Sequence, residues 1–135
     1  MAIENLFESE NIRIGYDTVE GWLFTDWIGF QSIDRIKNGG EKMLEYLKQT
    51  GASKVLNDNT HVSGAWGGAA EWAGTDWLPR MVEAGLVYFA WIHSPSALSR
   101  QAANLTVQSG SQHAEGKIHM FYDIDEAKSW LRSIK

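Results

Sequence analysis

The chain reads as an α/β domain built on a mixed, mostly parallel sheet, and three observations carry that reading. Apolar, strand-like runs at residues 55–56, 86–92 and 118–122 each lead through a polar turn into a helix-like stretch. That alternation belongs to parallel sheets with crossover helices. Ahead of them lie two segments separated by a short polar turn, the pattern of an antiparallel hairpin. The expected total is about five strands and four helices in one domain over residues 1–135. In such sheets ligands and partners gather at the carboxyl ends of the strands.

Each element has its own signal. Residues 11–17 alternate, with Ile12, Ile14 and Tyr16 on one face and Arg13, Gly15 and Asp17 on the other, as in a half-buried strand. Residues 18–21 form the turn into the aromatic strand 22–28, and residues 5–9 supply a short edge strand. Ser32 is the expected N-cap of a first helix carrying Ile33, Ile36, Met43, Leu44 and Leu47 at helical spacing. Gly39 and Gly40 weaken that helix by about 1 kcal/mol each, and Gly51 ends it. Residues 54–57 read as a short buried strand that empties into a loop over 58–64.

The second helix is expected from Ala65, with Trp66, Ala69, Ala70, Ala73, Trp77 and Met81 on one stripe facing the sheet. Trp72 points elsewhere, toward a neighbouring helix or solvent. Gly74 and Pro79 bend or divide the helix, and Gly85 ends it. Residues 86–92 are the most continuous apolar strand and are read as central, with 93–96 as their exit loop. A shorter helix over 97–106 turns Leu98, Ala102 and Leu105 inward, and residues 108–116 read as a mobile polar loop. After the strand 118–122, Asp123 with Glu126 three residues on is close to a capping box. The closing helix places Ile124, Ala127, Leu131 and Ile134 on its inner face. His113 is expected in the loop and His119 outward on its strand.

Composition narrows the function. Hydrophobic residues are 44% and charged residues 21%, and the formal net charge is −5, a balance that works against nucleic-acid or membrane-surface binding through basic patches. Cysteine is absent, which excludes disulfides and thiolate metal sites. No basic and apolar leader and no membrane-spanning apolar run is found, so a cytoplasmic, soluble protein is expected. Seven tryptophans are the oddity. They either fix core geometry or line a cavity.

The residues with chemistry cluster at the expected strand exits. Ser63 is placed as an N-cap before the second helix, where a phosphate would also be favoured. Gly64, Gly67 and Gly68 allow an anionic group or a partner backbone to approach. Asp58 and Asn59 suit either an active-site carboxylate position or an ordinary turn. His61, His93 and Asp58 would compose a two-histidine, one-carboxylate metal site only if brought together; no metal motif is present, and no metal is expected. Ser94, His93 and Asp58 would compose a hydrolase triad, but the Gly-x-Ser-x-Gly elbow is missing. No nucleotide-binding motif appears, so no cofactor is expected.

Asp26-Trp27-Ile28-Gly29, Leu56-Asn57-Asp58-Asn59, Glu71-Trp72 with Trp77-Leu78-Pro79, Ala84-Gly85-Leu86 and the closing segment 121–131 together resemble the STAS domain family. That family is shared by bacterial anti-sigma-factor antagonists and the cytoplasmic domains of sulphate transporters, and the chain more closely resembles small stand-alone bacterial STAS-like proteins. The resemblance implies a serine before the second helix that a partner kinase phosphorylates, within Asp-Ser-Ser-Gly or a near variant. Here the segment is Thr60-His61-Val62-Ser63-Gly64, so only Ser63-Gly64 carries over, and Ser63 is the candidate phosphorylation residue.

The expected function is a non-enzymatic regulatory or protein-interaction module. It would bind a protein partner, or a second copy of itself, through 58–64, 93–96 and the start of the second helix. Asp58, Asn59, His61, Ser63, Gly64, Trp66, His93 and Ser94 are the contact residues, with Trp66 or Trp72 as aromatic anchor. The alternative is a binder of a small apolar or anionic ligand in a tryptophan-lined pocket between the sheet and the second helix.

Overall fold

A computed structural model describes residues 2–114 and 116–134. Six strands form one sheet in sequential order. The strands are β1 (Ile3–Glu8), β2 (Ile12–Asp17), β3 (Trp22–Phe30), β4 (Lys54–Ser63), β5 (Tyr88–Ile92) and β6 (Ile118–Phe121). β1, β2 and β3 are antiparallel neighbours, and β3 through β6 run parallel. The expected α/β class, the N-terminal hairpin and the mostly parallel remainder are all present, and β1 is the edge strand anticipated before the hairpin. β5 stands one strand in from the edge, so β3 and β4 rather than β5 are central.

Parallel neighbours require crossovers, and these pack on one face. α1 (Ile33–Thr50) links β3 to β4. Ser32 caps it by accepting from the Arg35 backbone N–H, and Gly51 closes it in the left-handed conformation at φ 70°. Between β4 and β5 runs a composite helical segment: a 3₁₀ turn (Gly67–Ala69), α2 (Ala70–Trp72), a π turn (Ala73–Trp77) and α3 (Leu78–Glu83). α4 (Ala97–Ser109), with the short α5 (Ser111–Ala114), links β5 to β6. These elements share one core with Ile12, Ile14, Leu23, Val55 and Phe89 of the sheet. α6 (Ile124–Ser133) covers the other face, where Ala127 and Leu131 pack on Trp22, Leu56, Ala90 and Ile92. Asp123 caps α6 by accepting from the Glu126 N–H.

Four local expectations change. β4 extends to Ser63, so the segment expected as an exit loop is strand. The second helix begins at Gly67, with Trp66 in the cap position and no side-chain cap bond, so Ser63 is not its N-cap. α4 turns Ser99, Ala102, Ala103 and Thr106 inward, leaving Leu98 and Leu105 exposed. Its buried face carries small residues because the composite helix packs tightly against it. Finally, the expected loop over 108–116 is, through residue 114, the end of α4 followed by α5.

The glycines in the helices explain that close packing. A Cβ on Gly39 would lie 2.6 Å from Cζ3 of Trp27, so α1 gives up helix propensity to admit an indole from β3. Gly74 and Gly110 meet at the crossing of the π turn and α4, where a Cβ on Gly74 would stand 2.7 Å from the Gly110 nitrogen and closer still to the Thr106 carbonyl oxygen. Those neighbours are backbone and cannot swing aside. Gly74→Ala is therefore expected to destabilise the fold by about 1–3 kcal/mol despite alanine's better helix propensity, read as a lower urea midpoint. An unchanged or raised midpoint would show that the crossing has slack.

Candidate ligand site

Five of the seven tryptophans converge on one cavity under the crossover helices. Trp27 of β3 and Trp91 of β5 come from the sheet, Trp66 from the turn after β4, and Trp72 and Trp77 from the composite helix. Ile36, Gly40 and Met43 of α1, with Val62 and Phe89, complete the apolar wall. The rings interlock. Trp66 stacks on Trp91 with centroids 6.3 Å apart, and Phe89 meets Trp77 and Trp91 at 6.1 and 5.5 Å. Trp72 is the half-exposed member, with the Lys37 ammonium 5.8 Å from its ring centre. The cavity volume is about 40 Å³. On a scale where one water needs roughly 10–15 Å³, the space takes about three waters, so any occupant is small.

Two amides supply the polar part of the wall, Asn57 and Asn59, which alternate with Asp58 along β4 and so share the helix-covered face. Asn57 Oδ1 accepts from the Thr25 hydroxyl at 2.6 Å and from the Trp27 indole N–H at 2.9 Å. Its Nδ2 donates to Asn59 Oδ1 at 3.2 Å. The Trp77 N–H donates to the Gly40 carbonyl at 2.7 Å and the Trp66 N–H to the Ser99 hydroxyl at 3.0 Å. The Trp91 N–H is buried and has no partner among the described residues.

The residues singled out in the sequence divide between this cavity and its surroundings. Asn59 and Trp66 line the cavity. Trp66 is buried, so it is no exposed anchor for a partner. Ser63 is exposed at the end of β4, and its carbonyl accepts from the Gln31 N–H at 3.3 Å. Gly64 turns the chain at φ 90°, under the ring of Phe30. Ser94 Oγ donates to the Val62 carbonyl at 2.7 Å, which holds the exits of β4 and β5 side by side. His93 stacks on Tyr122, with Nδ1 unpartnered. Burial first, then the Arg100 charge, depresses its pKa. His119 is exposed and stacks on Trp130; the His113 side chain lies outside the described set.

Asp58 and His61 belong to a different neighbourhood. On the face away from the crossover helices, Asp26 pairs with Asp58 across β3 and β4, and His61 Nδ1 lies 3.6 Å from Asp26 Oδ1. Asp58 Oδ1 accepts from the Thr60 N–H at 2.8 Å and from its hydroxyl. Among the described residues no three His, Asp or Glu side chains are placed to hold a metal ion, and Ser94 spends its hydroxyl on Val62 and the Ser96 N–H rather than on a histidine. No helix among the described residues is long and apolar enough to cross a membrane.

Sequence reasoning reached the idea of a tryptophan cavity but not the roles of Trp27, Asn57, Trp77 and Trp91 in it. The legible signal was indoles on successive elements together with amides two residues apart on β4. No protein-family model matches the chain, and no curated protein or solved structure matches it either.

Burial raises the Asp26 carboxyl above its ordinary value, the Asp58 charge adds to this, and His61 and Arg13 oppose it. The folded state thus holds the Asp26 proton more tightly than the unfolded chain does. Its stabilising contribution is complete below the unfolded pKa of about 4 and is lost as pH rises through the raised value. Asp26→Asn is expected to lose less stability over that rise and to exceed the parent at neutral pH. Urea midpoints measured from about pH 4 to 8 check this, and parallel profiles for the two proteins would refute it.

Proposed function

We propose that the protein is a non-enzymatic binding domain that holds a small, largely apolar ligand between the tryptophans of the sheet and those of the composite helix. One observation carries the reading: five indoles line a partly open space instead of filling it, with two amides at its wall. Close packing is the rule for protein interiors, and an apolar cavity with a few placed polar groups is the usual form of a small-molecule site. Trp72 is the half-exposed ring of the wall and forms its gate to solvent. The likeness to small STAS-like proteins stands alongside as a proposal about kinship.

A second reading is a partner-binding surface at the carboxyl edge of the sheet, within a cytoplasmic regulatory protein. Phe30 and Ile33 are exposed there, against Gly64 and Gly68, and an aromatic residue beside glycine is suited to close contact with a protein partner. Phe30→Glu would abolish such an association and leave cavity binding untouched.

Native mass spectrometry of freshly purified protein is expected to show a small bound compound. Xenon, a small apolar probe, is expected to give a saturable change in tryptophan fluorescence. Ala73→Leu, which fills the cavity from the π turn, should remove both signals while circular dichroism stays native. A folded parent protein that carries no compound and gives no saturable response would end the ligand reading.

A further inference from the structure

His93 is buried at the exit of β5, only 8% exposed, whereas His61 and His119 lie open to solvent. The Tyr122 ring stacks on it with centroids 4.8 Å apart. Its Nδ1 is sealed and meets no hydrogen-bond partner among the described residues. Arg100 of α4 is close enough for its charge to act on the ring, and is pinned there by bonds to the Ser94 and Pro95 carbonyls at 3.2 and 2.7 Å. No acidic group compensates. The end of β6 brings Tyr122 and then Asp123, whose carboxylate accepts from the Glu126 N–H. The end of β4 brings the Val62 carbonyl, while His61 lies with Asp26 on the opposite face.

Neutral imidazole suits this slot and imidazolium does not. The neutral ring leaves Nδ1 as a bare lone pair, but the cation donates from both nitrogens. Its second proton would be a buried N–H without an acceptor, near a guanidinium that keeps its charge. Burial and that like charge both hold the His93 pKa below its ordinary value. The slot also sits at a junction. The His93 N–H donates to the Phe121 carbonyl at 2.8 Å, and Ser94 Oγ ties the turn to Val62 while accepting from the Ser96 N–H at 3.0 Å. Ser96 caps α4, and Ser99 in its first turn accepts from the Trp66 indole N–H at 3.0 Å.

We propose that His93 is a proton-operated latch: protonation drives its ring from under Tyr122, frees residues 93–99 and releases Trp66 from α4. The latch works whether or not the cavity holds a ligand. The freed ring titrates near the ordinary histidine value of about 6.5, and the latched ring below it. Between those two values the ratio of open to closed molecules rises up to about tenfold for each pH unit of acidification. It levels off once the closed form itself takes the proton.

Hydrogen-exchange protection factors, corrected for intrinsic exchange, are measured in the whole chain from about pH 7.5 to 5 beside the ¹H–¹³C titration of the His93 ring. The His93, Ser96 and Ser99 amides are expected to lose up to about tenfold in protection per pH unit. The Trp66 indole N–H should exchange faster in step. In mild acid all four should exchange at least about tenfold faster than the β3–β4 ladder, the mark of an opening smaller than global unfolding. His93→Phe keeps a ring beneath Tyr122 without the proton site and should flatten the pH dependence of this local opening. Ring titration with protection unchanged means that the proton is accommodated in place and overturns the latch. The same loss in His93→Phe overturns it too, as does exchange that never separates from the ladder. A His93 ring that titrates at or above the ordinary value, or stays neutral until the domain unfolds, overturns it in the parent chain alone, whether or not the variant folds.

Discussion

The buried amide of Asn57 is the constraint around which the site is organised. A side-chain amide in the middle of a parallel sheet loses its water on folding and must find protein partners. Here it is paired by Thr25 and Trp27 of the neighbouring β3 and by Asn59 of its own strand. That single requirement ties the central strands together by their side chains and sets the rotamer of Trp27. It also passes a fixed polarity along β4 to the cavity. Replacing the network by apolar side chains would leave a sheet with the same ladder but no polar feature on its covered face.

Accommodating the indoles shapes the helices. Trp27 reaches into α1 only because position 39 has no side chain, and Trp77 and Trp72 crowd position 40 in the same way. The composite helix changes its winding from 3₁₀ through α to π and back to α within residues 67–83. The π turn lies where Gly74 presses on α4 and where Ala73 and Trp77 face the cavity. Extra backbone in a π turn re-aims the side chains on either side of it, and here those side chains are cavity wall. Helix regularity has been traded for a particular arrangement of rings.

The two faces of the sheet are chemically distinct. The covered face is aromatic and amide-lined and carries no charge at the cavity. The opposite face, at the same level of β3 and β4, holds Asp26, Asp58 and the exposed His61. Period-two alternation along β4 produces this separation directly: Asn57 and Asn59 go one way and Asp58 the other. Asp58 and His61, grouped with His93 in the sequence because they follow adjacent strands, lie by Asp26 on the face away from the cavity. His93 itself is occupied with Tyr122 and the start of α4.

The sequence alone determined the layer plan. Period-two and helical spacing, the Ser32 and Asp123 caps and the left-handed Gly51 are local physics, and each is where the pattern places it. The sequence also marked Trp66, Ala69, Ala70, Ala73, Trp77 and Met81 as one buried stripe, and all six are buried. What only tertiary structure decided was the continuation of β4 to Ser63: Asp58, Asn59 and Thr60 read locally as turn formers, and pairing of Asp58 and of His61–Ser63 with β3 carries the strand across an irregularity at Asn59 and Thr60. The inward face of α4 was likewise chosen by the neighbour that approaches it: Gly74 demands small residues opposite, which turns Leu98 and Leu105 out. Convergence of indoles from four separate elements depends on register and crossing geometry, and no window of adjacent residues contains that information.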